Sequence, residues 1–274
     1  MDAEGGYSIM DEKKCSEDKK CLIEQCDIFD FMANHVGLTI IHPGGLEATN
    51  TLLESCQINK SSKVLDIGCG KGTTSVLLAQ KYGCNVVGID LSEDLLKQSA
   101  YLVKRKGMEH KVSFRLADAL SLPFADEEFD VAIGQAILIL VGDKKRAIKE
   151  ALRVIKTGGY VGWLELSWKK PITKDFLEGV SNVICAYCML GVETFKDWER
   201  LFKEAGVKEL QISVYSQEFG GMRRMLADEG FLNASKIMIR YLANSRVRGR
   251  MKTIEMFFRE HSEYFGYGIY AGRK

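Results

Sequence analysis

Hydrophobic and polar positions along the chain fall into two alternating rhythms. From residue 63, short apolar runs (KVLDIG at 63–68, NVVGID at 85–90, VSFRLAD at 112–118, FDVAIGQ at 129–135 and YVGWLELS at 160–167) have the length and β-branched content of buried strands. Stretches with apolar residues at helical spacing separate them: TTSVLLAQKYG, SEDLLKQSAYLVKRKG and DKKRAIKEALRVIKTGG. Ser92 is placed to cap the second of these helices, and Gly83, Gly107 and the Gly158–Gly159 pair stand where helices stop. Strand and helix in this rhythm predict an α/β fold, with a parallel sheet covered by helices on both faces. Residues 172–206 read as further helices. KELQISVYSQ (208–217) reads as a sixth strand and FGYGIYAGRK (265–274) as a seventh, with about 45 helical residues between them. Upstream, residues 21–35 carry apolar positions at helical spacing, Pro43 and two glycines break the chain, and a helix restarts over Leu46–Cys56.

The organisation expected from this pattern is an N-terminal helical lid segment (1–60), a core (61–219), a helical cap insertion (220–262) and a last core strand (263–274). The 274 residues suffice for one full core plus a cap, and only Pro43, Pro123 and Pro171 interrupt them. A net charge of +1 gives no global attraction to nucleic acid or to an anionic membrane. The polar, acidic N-terminus lacks a signal-peptide core. The longest apolar run, residues 131–141, is too short for a membrane span. A soluble, cytoplasmic protein is expected.

In such sheets ligands bind outside the carboxyl ends of the strands, so the chemistry is sought there. The first strand runs into VLDIGCGKGTTS (64–75). A phosphate loop requires G-x-x-x-x-G-K-[ST], and Lys71 is followed by Gly72 instead. A dinucleotide fingerprint requires G-x-G-x-x-G, and the glycines here recur as G-x-G-x-G. Asp66 would repel a pyrophosphate and suits a ligand bearing an ammonium group. Asp90, 22 residues after Gly68, ends the second strand at the distance where a carboxylate accepts from ribose hydroxyls. Asp118, in RLADALSLPF, ends the third strand, and Gly134 and Gln135 end the fourth.

These segments, in this order over residues 63–170, resemble class I S-adenosylmethionine-dependent methyltransferases of the small-molecule type, as in the ubiquinone/menaquinone-biosynthesis and arsenite methyltransferase groups. The resemblance implies a Rossmann-like seven-stranded sheet, mostly parallel, whose last strand is antiparallel and pairs with the sixth at the edge. It implies S-adenosyl-L-methionine as cofactor and S-adenosyl-L-homocysteine as product. Asp66, Gly68, Gly70, Gly72, Asp90, Leu91, Asp118, Ala119 and Gln135 are then the cofactor-binding residues. Asp66 lies near the ammonium, Asp90 at the ribose, and Asp118 with the Ala119 N–H at adenine. The chain departs from the family at KTGG, where K-P-G-G is usual, and the glycines remain.

The fourth strand ends in IGQAIL and not in the [DN]-P-P-[YFW] of enzymes that methylate nucleic-acid amines, so DNA is not an expected substrate. His42 is a candidate base or cofactor contact, or else a helix cap. Glu165, at the end of the fifth strand, is a candidate substrate ligand or base, and Tyr7 a candidate lid aromatic. No histidines pair at metal-ligand spacing, so no metal is expected. Cys185 and Cys188 (CAYC) and the early Cys15, Cys21 and Cys26 do not reproduce the arsenite enzymes' spacing. Cys56, Cys69 and Cys84 read as inert buried thiols.

The cap insertion is rich in Arg and Lys. It fits an anionic substrate or an acidic partner, RNA included, or simply a solvated face; the last is favoured, and RNA is not expected. The reading is a small-molecule methyltransferase, and no oligomeric state is assigned. The rivals are a methyltransferase acting on tRNA or protein through the basic insertion, and a catalytically idle cofactor-binding partner protein.

Overall fold

A computed structural model describes residues 27–181, 183–184, 189–217 and 221–274. Tyr7, Cys15, Cys21, Cys26, Cys185 and Cys188 lie outside the described residues. Strands β1 (Lys63–Ile67), β2 (Asn85–Asp90), β3 (Val112–Leu116), β4 (Phe129–Gln135), β5 (Ile155–Trp168), β6 (Glu193–Thr194), β7 (Lys208–Ser216) and β8 (Phe265–Arg273) form one sheet. Its order is β3-β2-β1-β4-β5-β8-β7, with β6 beside β5 off this path. The pairs from β3 to β5 are parallel, and β8 runs antiparallel to both β5 and β7. The strand order reverses between β1 and β4, which opens a crevice at their carboxyl ends.

The helices are α1 (Asp27–Asp30, continued by a π-turn over Phe31–Val36), α2 (Gly45–Ser55), α3 (Thr73–Tyr82), α4 (Glu93–Lys106), α5 (Lys144–Val154), α6 (Lys174–Ser181), α7 (Phe195–Ala205), α8 (Met222–Ala243) and α9 (Ser245–Glu260). Ser92 caps α4 by accepting from Leu95 N, and Gly107 ends it in the left-handed region. Around β1, β4 and β5 both faces of the sheet are buried, as parallel strands require, whereas β3 and β7 at its edges are largely exposed. Val64, Val86, Val131, Ile133 and Leu164 pack under α2 and α3. Leu65, Ile67, Ile89, Ala132 and Trp163 pack on the other face with Ile148, Trp198 and Phe202.

The structure departs from the pattern in two places. Helix α5 stops at Val154, and IKTGG opens β5 instead of ending the helix. Gly159 makes this possible: a Cβ there would stand 2.6 Å from the carbonyl oxygen of Asp130, beside the register shift between β4 and β5. The sheet also has an eighth strand, β6, whose two residues pair with Ser167 and Trp168. Two residues are too few to leave a periodic signal.

Gly134 on β4 faces Trp163 on β5, where a Cβ would come within 2.2 Å of the indole. The Trp163 ring is fully buried and has no room to withdraw. Gly134→Ala is therefore expected to lower unfolding stability by about 1–3 kcal/mol, the usual range for overpacking, as read by denaturant titration.

Candidate functional site

The glycine turn after β1 is fixed by its neighbour strand. Gly68 N and Cys69 N both donate to Ile89 O at 2.9 Å. Asp90, at the tip of β2, accepts from Gly70 N through Oδ2 and from Ser92 N through Oδ1, each at 2.9 Å. Gly70 has φ +53, and a Cβ there would meet nothing within 4 Å, so its backbone faces open space.

That space is a cleft of about 650 Å³ at the carboxyl ends of β1, β2 and β4. Asp66, Gly68, Gly70, Asp90, Leu91, Asp118, Ala119 and Gln135 all line it. Gly72 does not: a Cβ there would strike Ser99 Cβ at 2.8 Å and Phe114 at 2.9 Å. Gly72 thus lets α3 pack closely on α4 and β3, and its place among the ligand-facing glycines is corrected.

Asp66 is 2% exposed, and its Oδ2 accepts from Ser75 Oγ at 2.6 Å. Burial, opposed by that bond and reinforced by Asp90, pushes its pKa up to about 6. Burial also raises Asp90. Asp118 Oδ1 accepts from Leu120 N at 2.8 Å, which shapes the turn after β3.

The roof of the cleft comes from the segment between α1 and α2. Lys71 Nζ, inside the glycine turn, donates to Ala33 O (2.6 Å) and Leu38 O (3.2 Å), and Thr73 Oγ1 donates to Thr39 O (3.3 Å). From the other side, Glu229 on α8 accepts from Thr39 N and Thr39 Oγ1 at 2.8 Å and from Ile40 N at 3.3 Å. Asp228 Oδ1 accepts from Leu46 N at 2.8 Å, and Arg224 donates to Gly44 O. Arg240 and Asn233 donate to the carbonyls of Val36 and Gly37. Two cap cations, Arg224 and Arg240, are thus structural, holding backbone carbonyls of the roof.

A second cavity, about 280 Å³, lies under α8 and α9. It shares Phe29, Ile40, Ile41, His42 and Ala136 with the cleft, so these residues form a wall common to the two spaces.

Neither ring nitrogen of His42 is free. Nδ1 lies 3.1 Å from Pro43 O, and Nε2 lies 3.0 Å from Thr49 Oγ1. Thr49 Oγ1 donates to Gln135 Oε1 (2.8 Å), whose Nε2 donates to Thr74 Oγ1 (2.8 Å). In that arrangement Nε2 of His42 must itself donate, and with Nδ1 on a carbonyl the ring is imidazolium. A half-turn of the Gln135 amide lets Thr49 donate instead to a neutral ring. Burial lowers the His42 pKa and favours that neutral state. Of the alternatives read from the sequence (a base, a cofactor contact or a helix cap), a free base is the one this geometry does not offer, since His42 lines the wall with both ring nitrogens engaged.

Glu165 is corrected more sharply. It is fully buried and lines neither cavity. Its Oε1 accepts from Ile137 N (3.2 Å) and Leu138 N (2.9 Å), fixing the turn after β4. Its Oε2 has no partner among the described residues, and burial pushes its pKa up to about 8. The buried thiols behave as expected, with Cys56 pushed up to about 12. Lys71, Thr39, Asp228 and Glu229 left no motif, because each acts through backbone atoms of a segment distant in sequence.

A methyltransferase-domain family matches residues 58–206, more than half of the chain. The chain belongs to the class I S-adenosylmethionine-dependent methyltransferases. An uncharacterized protein of Haemophilus influenzae is 30% identical over 240 residues, 86% of this chain and 94% of its own. Methyltransferase GfsG of Streptomyces halstedii is 30% identical over 179 residues, 64% of this chain and 63% of its own. Among solved structures, Haemonchus contortus phosphoethanolamine N-methyltransferase 2, in complex with phosphomonomethylethanolamine and S-adenosylhomocysteine, has the same fold. It superposes with a TM-score of 0.71 at 19% identity, covering 90% of this methyltransferase and 57% of that chain. Among the described residues no helix is long and apolar enough to cross a membrane.

The raised pKa of Glu165 gives a signed expectation. The folded state holds this proton where the unfolded chain has lost it, so stability falls as pH rises from about 4.5 to about 8. Glu165→Gln keeps the acceptor oxygen and removes the ionisation. The variant should therefore gain stability relative to wild type progressively across that interval, as read by denaturant titrations at each pH.

Proposed function

We propose that S-adenosylmethionine lies in the larger cleft and that the methyl acceptor is a small molecule entering the adjoining cavity. The observation that carries this reading is the wall that the two spaces share, His42 included, with the open backbone face of Gly70 and the carboxylate of Asp90 on the cleft side. Asp90 accepts from the ribose hydroxyls, its remaining lone pairs being available beside the bonds to Gly70 and Ser92. Asp118 accepts from the adenine amine, with Leu91 and Ala119 flanking the base. Asp66 faces the ammonium group. Gly68 and Gly70 let the backbone approach, and Gln135 lines the cleft.

When bound, the cofactor supplies a methyl group already activated by a positive sulfur for in-line displacement. The protein contributes position and exclusion of water. The segment over Leu38–Leu46 covers both spaces, and Lys71, Thr73 and Glu229 hold it. Of the two groups first read as candidate bases, His42 has both nitrogens engaged and Glu165 reaches neither cavity. The chain therefore acts chiefly by orienting an acceptor that is already nucleophilic. The relatives' names, which include N- and O-methyltransferases of small molecules, support that class of acceptor. The size of the second cavity argues against an RNA strand or a protein loop as acceptor.

Calorimetry with S-adenosylhomocysteine tests the assignment. Asp90→Ala should weaken binding by about 10- to 100-fold, the range for hydrogen bonds to a charged group, while NAD binds neither protein. An unchanged affinity in the variant contradicts the ribose role. A second readout isolates Asp66. An ammonium beside it lowers its pKa from about 6, so binding near pH 6 should release a proton. Titrations in two buffers of different ionisation enthalpy should show that release in wild type and lose it in Asp66→Asn.

A further inference from the structure

The smaller cavity has a chemical character of its own. Among the described residues its wall is mostly apolar, with Met32, Ile139, Met225, Met251, Ile254 and Phe258 facing one space. Three methionines in that set give a polarisable, adaptable lining suited to flat or branched hydrocarbon.

The charged groups in the wall are already committed to the chain. Arg224 donates to Gly44 O and lies 3.8 Å from Asp228. Asp228 accepts from Leu46 N, and Glu229 accepts from Thr39, Ile40 and Asn233. A phosphate or carboxylate entering here would meet two carboxylates and one arginine that is in use. A polar group of a different kind remains. The amide oxygen of Gln217, just past the end of β7, is buried and has no hydrogen-bond partner among the described residues. A buried acceptor left without a donor is costly, and a donor on the ligand would remove that cost.

We propose that the smaller cavity binds an uncharged, largely apolar molecule that carries, besides the nucleophilic atom that accepts the methyl, a hydroxyl or amine N–H that donates to Gln217. The inference rests on the reading of this cavity as the acceptor site, and it names the substrate class of that site. Apolar bulk gives affinity, and that donor fixes which end of the molecule points away from Gln217. Phosphorylated acceptors are excluded by the carboxylates.

Calorimetric titrations of wild type and Gln217→Leu, with and without saturating S-adenosylhomocysteine, test it with three probes: 1-naphthol, naphthalene and phosphoethanolamine. Wild type should bind 1-naphthol about five- to tenfold more tightly than naphthalene, the order expected for one neutral hydrogen bond. Gln217→Leu should erase that difference while leaving the S-adenosylhomocysteine affinity unchanged, which also shows that the variant is folded. Phosphoethanolamine should not bind. Binding of phosphoethanolamine in place of the naphthyl probes overturns the proposal, as does equal binding of 1-naphthol and naphthalene by wild type. Failure of S-adenosylhomocysteine to bind refutes the cofactor reading instead, and the naphthyl titrations of the unloaded protein still report on the cavity.

Discussion

The carboxylate of Glu229 is the contact on which the site's architecture depends. It stands on the cap helix α8 and accepts from Thr39 N, Thr39 Oγ1, Ile40 N and Asn233 Nδ2. Charged acceptors bind N–H and O–H donors more strongly than neutral ones do, and four donors converge on this one. On the opposite side of the same segment, Lys71 and Thr73 reach the backbone from the glycine turn. The segment therefore bridges the cap and the ligand-facing turn. Residues 40–42 roof the cleft and also wall the second cavity. Without this clasp neither space would be closed over its contents.

The two cavities differ in kind because of what the sheet supplies to each. The strand ends bring carboxylates to the cleft, where Asp66 and Asp90 sit at the tips of adjacent parallel strands. Their pKa values rise because burial penalises the charged form, so the cleft suits a ligand that brings positive charge and hydroxyl donors. The cap, by contrast, offers methionines and aromatic rings, and uses its acids and arginines to hold the roof. One space is thus lined by carboxylates and the other mostly by apolar groups, and His42 lines both, in a hydrogen-bond chain that ties Thr49, Gln135 and Thr74 together.

Much of this was legible in the sequence, for a physical reason. Parallel strands buried on both faces leave continuous apolar runs, and the helices between them leave a 3.6-residue period, so the sheet could be read up to β5, and the strands read at 208–217 and 265–274 are β7 and β8. The rule that ligands gather at strand ends then pointed to Asp66, Asp90, Asp118 and Gln135, all of which do line one cleft. Spacing could not say which way a side chain turns. Glu165, read as the end of a strand, lies within β5, which runs on to Trp168, and its side chain fixes the turn after β4. Gly72 shares the motif of Gly70 but answers to helix packing. The clasp was invisible because Glu229 lies 190 residues from Thr39 and recognises its backbone amide as well as its hydroxyl. The strand Glu193–Thr194 is too short to show a period.

Amide hydrogen exchange, with and without S-adenosylhomocysteine, tests the central claim most directly: the cofactor occupies the cleft beneath a roof clasped by the cap. The account predicts that the ligand slows exchange together in residues 67–72, 89–92 and 117–120 of the cleft floor and in residues 38–42 of the roof. Glu229→Ala should lose the slowing in the roof and keep it in the floor. Protection that spares residues 67–72 and 89–92, or a roof whose exchange is indifferent to both ligand and Glu229, would contradict it.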